Sequence, residues 1–343
     1  MNKLAKIGAS ALCGSLAAIA SAQAGEMSVT GGATATYSKG DQTTNGSPIG
    51  MNTGLTFTGN GELDNGTTFV MTVTHADKAA YSAANILMTV PGIGSIKVDM
   101  GSGGSGLDRI DDMIPTAWEE TNGTSVGTGL QTVSGVGGKA NIEWSLEEGM
   151  FFPDGISAHI AYSPRADGNT ANDKATGGAG NGNKAGYDIV LQHSGIADGL
   201  NIFGGYSVIA READASLVGG YKKGDRAQYA LGATYAIGGA TFGYQRSKDD
   251  IGIVQGTNYY ENDAFGVSFS VNDNLSVSIG SHNSERNHSN GTTTSNEATS
   301  LQAAYTVGGA SVKFARTSVD NASYSTTAAN SKDGYTVALT LAF

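Results

Sequence analysis

The sequence predicts an all-β transmembrane antiparallel β-barrel of 16 strands, and three observations predict it. Short segments of alternating apolar and polar residues recur along the chain, and after the first 24 residues no apolar stretch is long enough to span a bilayer as a helix. The connections between these segments switch strictly between very short and long, as they do when one set of turns lies on one side of a membrane and the other set on the opposite side. All five prolines (Pro48, Pro91, Pro115, Pro153, Pro164) fall in loops, in turns or at a strand end. Proline cannot donate to a ladder, so a wrong strand assignment would have placed some of them mid-strand.

Taken in order, residues 1–24 read as a cleaved signal peptide. Lys3 and Lys6 give a positive start, Ile7 to Ala20 form an apolar core of 14 residues rich in small side chains, and Ala22-Gln23-Ala24 is an A-x-A site. Residues 25–343 are then a single barrel domain, with no linker or composition shift to divide it. The sole cysteine, Cys13, lies in the leader, so no disulfide or cysteine metal site is expected in the mature chain. Loss of two lysines leaves 18 basic against 31 acidic side chains, a net charge of −13, which argues against nucleic acid as a partner.

The expected strands are 27–37, 51–63, 67–75, 84–91, 94–101, 138–147, 156–163, 185–193, 200–209, 226–237, 240–247, 263–271, 275–283, 298–307, 310–317 and 333–343. The last is the clearest, with Tyr335, Val337, Leu339, Leu341 and Phe343 on one face and Thr336, Ala338, Thr340 and Ala342 on the other. Tight turns such as Asp64-Asn65-Gly66, Gly238-Gly239, Asn272-Asp273-Asn274 and Gly308-Gly309 use residues that tolerate positive φ. Long loops are expected at 38–50, 76–83, 102–137, 164–184, 210–225, 248–262, 284–297 and 318–332. Ten residues at ~3.3 Å each, tilted ~45°, span roughly 23 Å, close to the apolar band of an outer-membrane barrel. A secreted β-sandwich or solenoid adhesin shares the Gly, Thr and Asn usage. The loop parity favours the barrel, as do Tyr37, Tyr162, Tyr187, Tyr206, Tyr235, Tyr244, Tyr305 and Tyr335 near the strand ends on the apolar face.

With these features the chain resembles a Gram-negative outer-membrane general diffusion porin of the alphaproteobacterial type. The resemblance rests on the leader, the sixteen strands, the long third loop and the terminal Phe343, and it covers the whole mature chain. It implies that Tyr335, Val337, Leu339, Leu341 and Phe343 are the signal read by the barrel-assembly machinery. It implies that the third loop folds into the lumen as a constriction, through Asp108-Arg109-Ile110-Asp111-Asp112 and Ile114-Pro115-Thr116-Ala117-Trp118-Glu119. It also implies a homotrimer in contact with outer-membrane lipid and lipopolysaccharide, and a cluster of wall arginines facing the loop. The sequence departs from the family there, because few arginines fall on the inward face.

Sixteen strands enclose more space than side chains can fill, so an aqueous channel follows. Thr30, Thr34, Thr56, Thr58, Thr72, Thr234 and Ser268 give a neutral hydroxyl lining, and the wall charges are Lys97, Asp99, Lys139, Glu143, Asp188 and Lys313. The third loop adds Asp108, Asp111, Asp112, Glu119 and Glu120 against Arg109. Carboxylates in a narrow mouth concentrate cations, so a cation-favouring pore for small hydrophilic solutes is expected. The bland alternative is solvated loop charge or loop ligands for Ca2+. No other cofactor and no enzymatic activity are implied. Gly101 to Gly106 matches G-x-G-x-x-G but leads to Pro115 rather than into a helix, so it reads as loop. His75, His159, His193, His282 and His288 show no ligand spacing. Arg246 and Arg316 fall on the apolar face by parity, either reaching lipid phosphates or lying beyond a strand that has ended. The alternative function is a barrel that displays its surface loops as an adhesin or receptor.

Overall fold

The computed structural model describes residues 25–40, 47–77, 83–121, 126–166, 182–211, 224–253 and 256–342. The leader and Phe343 lie outside them. The sixteen expected strands all form: β1 (Met27–Gly40), β2 (Ile49–Glu62), β3 (Thr68–Ala76), β4 (Ala83–Val90), β5 (Gly94–Met100), β6 (Ala140–Leu146), β7 (Ile156–Ser163), β8 (Asn183–His193), β9 (Leu200–Arg211), β10 (Arg226–Ile237), β11 (Ala240–Asp250), β12 (Thr257–Ser270), β13 (Leu275–His288), β14 (Thr293–Val307), β15 (Ala310–Asp320) and β16 (Lys332–Ala342). Each pairs antiparallel with its sequence neighbours, and β1 closes on β16 with Ala33 opposite Leu341 and Tyr37 opposite Val337. Closure leaves the sheet no free edge, which is what a strand array in lipid requires. All five prolines lie outside strands.

The sheet is apolar outside and polar inside. Ile279 is 58% exposed on the outer face, whereas its neighbour Ser278, which points inward, is 5% exposed. Leu231, Leu301, Val312 and Leu339 are likewise exposed on the outer face. Outward tyrosines pair near the strand ends, Tyr162 with Tyr187 at 4.9 Å between ring centroids and Tyr37 with Tyr335 at 6.5 Å. Hydroxyls meet across the inner face, Thr34 with Thr340 at 3.0 Å, Ser38 with Thr336 at 2.9 Å and Thr56 with Thr74 at 3.2 Å.

Several boundaries differ from expectation, for one physical reason. The loop expected at 284–297 is mostly strand, because β13 and β14 pair out to Asn287 opposite Thr293 and only 289–292 connect them. That connection is shorter than the one at 147–155, so the switch between short and long is not strict. The loop expected at 248–262 shrinks to 251–256 in the same way. Hydrophobic alternation marks only the part of a strand that faces lipid, whereas backbone pairing continues beyond it. There the outer face carries ion pairs such as Lys248 with Glu261 at 3.0 Å. Arg246 and Arg316 sit inside β11 and β15, not beyond them, and each faces an acid on the next strand, Asp263 at 3.3 Å and Asp333 at 3.8 Å. β6 begins at Ala140, so Lys139 belongs to the preceding loop rather than to the wall.

Dry apolar packing among the described residues lies between the third long connection and the wall. One cluster joins Leu107, Ile110 and Val133 of the connection to Val190, Phe203 and Ala230. A second joins Val126 and Leu130 to Ala298, Val319 and Ala322.

Candidate pore constriction

The connection between β5 and β6, residues 101–139, begins as a Gly/Ser run and turns once as a 3-10 helix over Gly106–Arg109. It has too few apolar residues to fold alone. It lies against the inside of the barrel, and its backbone N–H and C=O groups need partners there. The wall supplies them. Asp188 of β8 accepts from the Leu107 and Val136 amides at 2.8 and 2.9 Å, and Gln228 of β10 accepts from Gly135 at 2.8 Å. Gln245 of β11 accepts from Met113 at 3.2 Å and donates to the Asp111 carbonyl at 2.7 Å. Ser278 of β13 accepts from Ala117 at 2.9 Å. Gln302 of β14 accepts from Trp118 and Glu119 at 3.1 and 2.9 Å and donates to the Glu119 carbonyl at 2.6 Å. Further on, Asn296 donates to the Thr128 carbonyl at 2.8 Å, and the Tyr324 hydroxyl accepts from Gln131 at 2.9 Å.

Close approach of the loop needs wall positions without side chains. Inward-facing glycines supply them. A Cβ on Gly205 would meet Leu107 and Ile110, one on Gly243 would overlap Pro115, one on Gly266 would overlap Ile114, and one on Gly280 would overlap Thr121. These glycines lie on β9, β11, β12 and β13, so the loop follows a shallow track across successive strands. The track and the wall amides were absent from the sequence expectation. The available signal was a glycine or amide at inward parity in the middle of a strand.

The expected site residues divide into two groups. Lys97, Asp99, Arg109 and Glu143 come together at the root of the loop. Asp99 is fully buried, pairs with Lys97 at 2.9 Å and accepts from the Ser102 amide at 2.7 Å. Glu143 is fully buried, pairs with Arg109 and accepts from the Gly106 amide at 2.6 Å. Lys97 also donates to the Gly103 carbonyl at 2.9 Å. Asp99, Glu143 and Asp188 are therefore anchors beneath the loop rather than the water-facing wall charges expected from parity. Loop amides engage all three carboxylates, and Lys97 and Arg109 also pair with Asp99 and Glu143.

The second group is more accessible to solvent than these anchors. Asp112 and Glu120 are exposed, and Asp108, Asp111 and Glu119 are half-buried. Burial, reinforced by the carboxylates of Asp108, Asp112 and Glu120, pushes the Asp111 carboxyl up to about 8. Burial also raises Asp108, against a hydrogen bond from the Gly104 amide. Burial raises Glu119, which Lys313 opposes. Lys313 points inward from β15 and sits 5.9 Å from the Trp118 ring centroid. Lys139 is half-buried where the loop returns to β6. The wall away from the loop carries Thr30, Thr34, Asn52, Thr56, Thr72, Thr336 and Thr340 on its inner face, none of them charged. Among the described residues no three His, Cys, Asp or Glu side chains are grouped as metal ligands.

A family model described as Gram-negative porin matches residues 8–340. The chain belongs to the Gram-negative porin family. As a porin it is an outer-membrane channel, and the third loop lies against the inside of its wall. Several solved structures share its fold. An OmpF of Salmonella typhi in complex with daunomycin aligns at TM-score 0.69 and 15% identity over 93% of this chain and 98% of that one. An outer membrane protein of Vibrio cholerae, OmpT, aligns at TM-score 0.63 and 11% identity over 94% and 98% of the two chains. An anion-selective porin from Comamonas acidovorans aligns at TM-score 0.61 and 11% identity over 93% and 100%. No curated protein matches this porin in sequence.

Proposed function

We propose that this porin passes small hydrophilic solutes by passive diffusion and favours cations. The supporting observation is the charge asymmetry across the lumen. Asp112 and Glu120 are exposed on the docked loop, with Asp111 and Glu119 beside them, and the opposite wall is uncharged threonine and asparagine. Arg109 does not offset them, because Glu143 holds it at the loop root. A carboxylate surface in a narrow passage with low-dielectric walls raises local cation concentration and excludes anions. The Comamonas acidovorans porin is described as anion-selective, so the shared fold does not set the sign and the lining does. Reversal potentials of single channels in a KCl gradient test this. Cation permeation exceeding chloride is expected, and chloride preference would reject it.

The same reading takes the polypeptide as exported through the leader 1–24, assembled through its terminal strand and assembled into trimers. Outward Gly31, Ala33 and Ala35 give β1 a flat outer patch suited to close subunit contact. Passage needs no catalytic step and no cofactor. N-terminal sequencing of the outer-membrane form should begin at Gly25, and unheated gels should show a species of three times the monomer mass.

A further inference from the structure

The third loop is held by another connection as well as by the wall. Residues 321–331 join β15 to β16, and the first of them pack on loop residues 126–131. The Ser323 amide donates to the Thr128 carbonyl at 2.9 Å, and the Tyr324 hydroxyl accepts from the Gln131 amide at 2.9 Å. Ala322 shares a buried apolar cluster with Val126 and Leu130. A Cβ on Gly129 would overlap Ser323, so this approach needs a loop position without a side chain. The cluster has no residue in common with the one that seats Leu107, Ile110 and Val133 on β8–β10. Tyr324 ties the contact to the wall. It is 5% exposed, its hydroxyl also meets Ser284 at 2.7 Å, its carbonyl accepts from Arg286 at 3.0 Å, and its ring centroid lies 5.2 Å from that of Tyr260.

The backbone of this connection is strained. Four non-glycine residues among those described have positive φ, and three of them lie here: Asn321 at 55°, Ser323 at 55° and Tyr324 at 58°. Side chains disfavour this region, and residues stay in it only where surrounding contacts hold them. For Ser323 and Tyr324 those contacts are with the third loop and β13. Without them the backbone relaxes to negative φ, which carries the Ser323 amide and the Tyr324 hydroxyl off the loop. The contact therefore has two states, one strained and docked, the other relaxed and open.

We propose that Tyr324 is a positioning residue for the channel loop, and that residues 321–325 form a strained latch that can release 126–131 while the first half of the loop stays docked. Asp188, Gln245 and Gln302 hold that first half from the wall, apart from the latch. The latch acts on loop position and is independent of the charge preference proposed above.

Thiol labelling of the folded porin in detergent tests this. Leu130→Cys reports the latched segment and Leu107→Cys the first half, each in a Cys13→Ser background. Both positions are buried, so labelling proceeds through local opening and its rate follows the open fraction. Tyr324→Phe keeps the ring and removes the hydroxyl contacts to Gln131 and Ser284. It should speed labelling at position 130 about fivefold, the worth of a single hydrogen bond, and leave position 107 unchanged. Ser323→Gly relieves the left-handed strain and keeps the amide, so it should slow labelling at position 130 about twofold. No acceleration at position 130 with Tyr324→Phe, equal acceleration at position 107, or no slowing with Ser323→Gly would overturn the proposal. Should Tyr324→Phe fail to fold, the Ser323→Gly comparison decides alone.

Discussion

At the scale of single residues, the side chains that hold the loop matter more than those that decorate it. Gln302 satisfies two loop amides and one loop carbonyl from a single buried position. Gln302→Leu leaves those groups unpaired and should destabilise the docked loop by about 1–3 kcal/mol, seen as lower Tm and increased open-channel noise. Asp111 makes the docked state sensitive to pH. Its carboxyl is raised from the ordinary carboxylate value to about 8, so its neutral form suits the docked loop. The stability it contributes is complete below the unfolded value near 3.8, declines as pH rises, and is lost above about 8. Ionisation over the same range adds negative charge to the lumen. Cation preference should therefore increase between pH 6 and pH 9, and Asp111→Asn should flatten that increase in reversal-potential measurements.

At the scale of elements, the strands were legible in the sequence and the loop's seat was not. Every strand was found because lipid on one side and water on the other impose a period of two. The upper parts of β11–β14 were missed because above the lipid both faces are polar, and alternation in hydrophobicity disappears while the ladder continues. The acids of the loop were identifiable from sequence. The roles of Asp99, Glu143 and Asp188 were not, because inward parity says only that a side chain points inside and not that a loop will cover it. The glycine track gives an element-scale prediction. Gly266→Leu places a side chain where Ile114 packs, pushes the loop toward the lumen, and costs about 1–3 kcal/mol of overpacking. Single-channel conductance should fall. An unchanged conductance would mean that the loop yields elsewhere.

At the scale of the whole molecule, the barrel reverses the arrangement of a water-soluble protein. Its greasy surface faces outward, its hydroxyls face inward, and its dry packing lies only where the loop meets the wall among the described residues. Ile279→Arg on the outer face should destabilise folding into bilayers by about 2–4 kcal/mol, whereas Thr34→Arg on the inner face should leave stability nearly unchanged and shift selectivity toward anions. Paired folding titrations and reversal potentials separate the two faces.

The account stands most directly on the position of residues 101–139 within the water path. Glu120→Cys in a Cys13→Ser background, treated with a positively charged thiol reagent during single-channel recording, measures that position. A stepwise drop in conductance and weaker cation preference on modification are predicted. Complete modification with no change in current would contradict a loop that lines the pore.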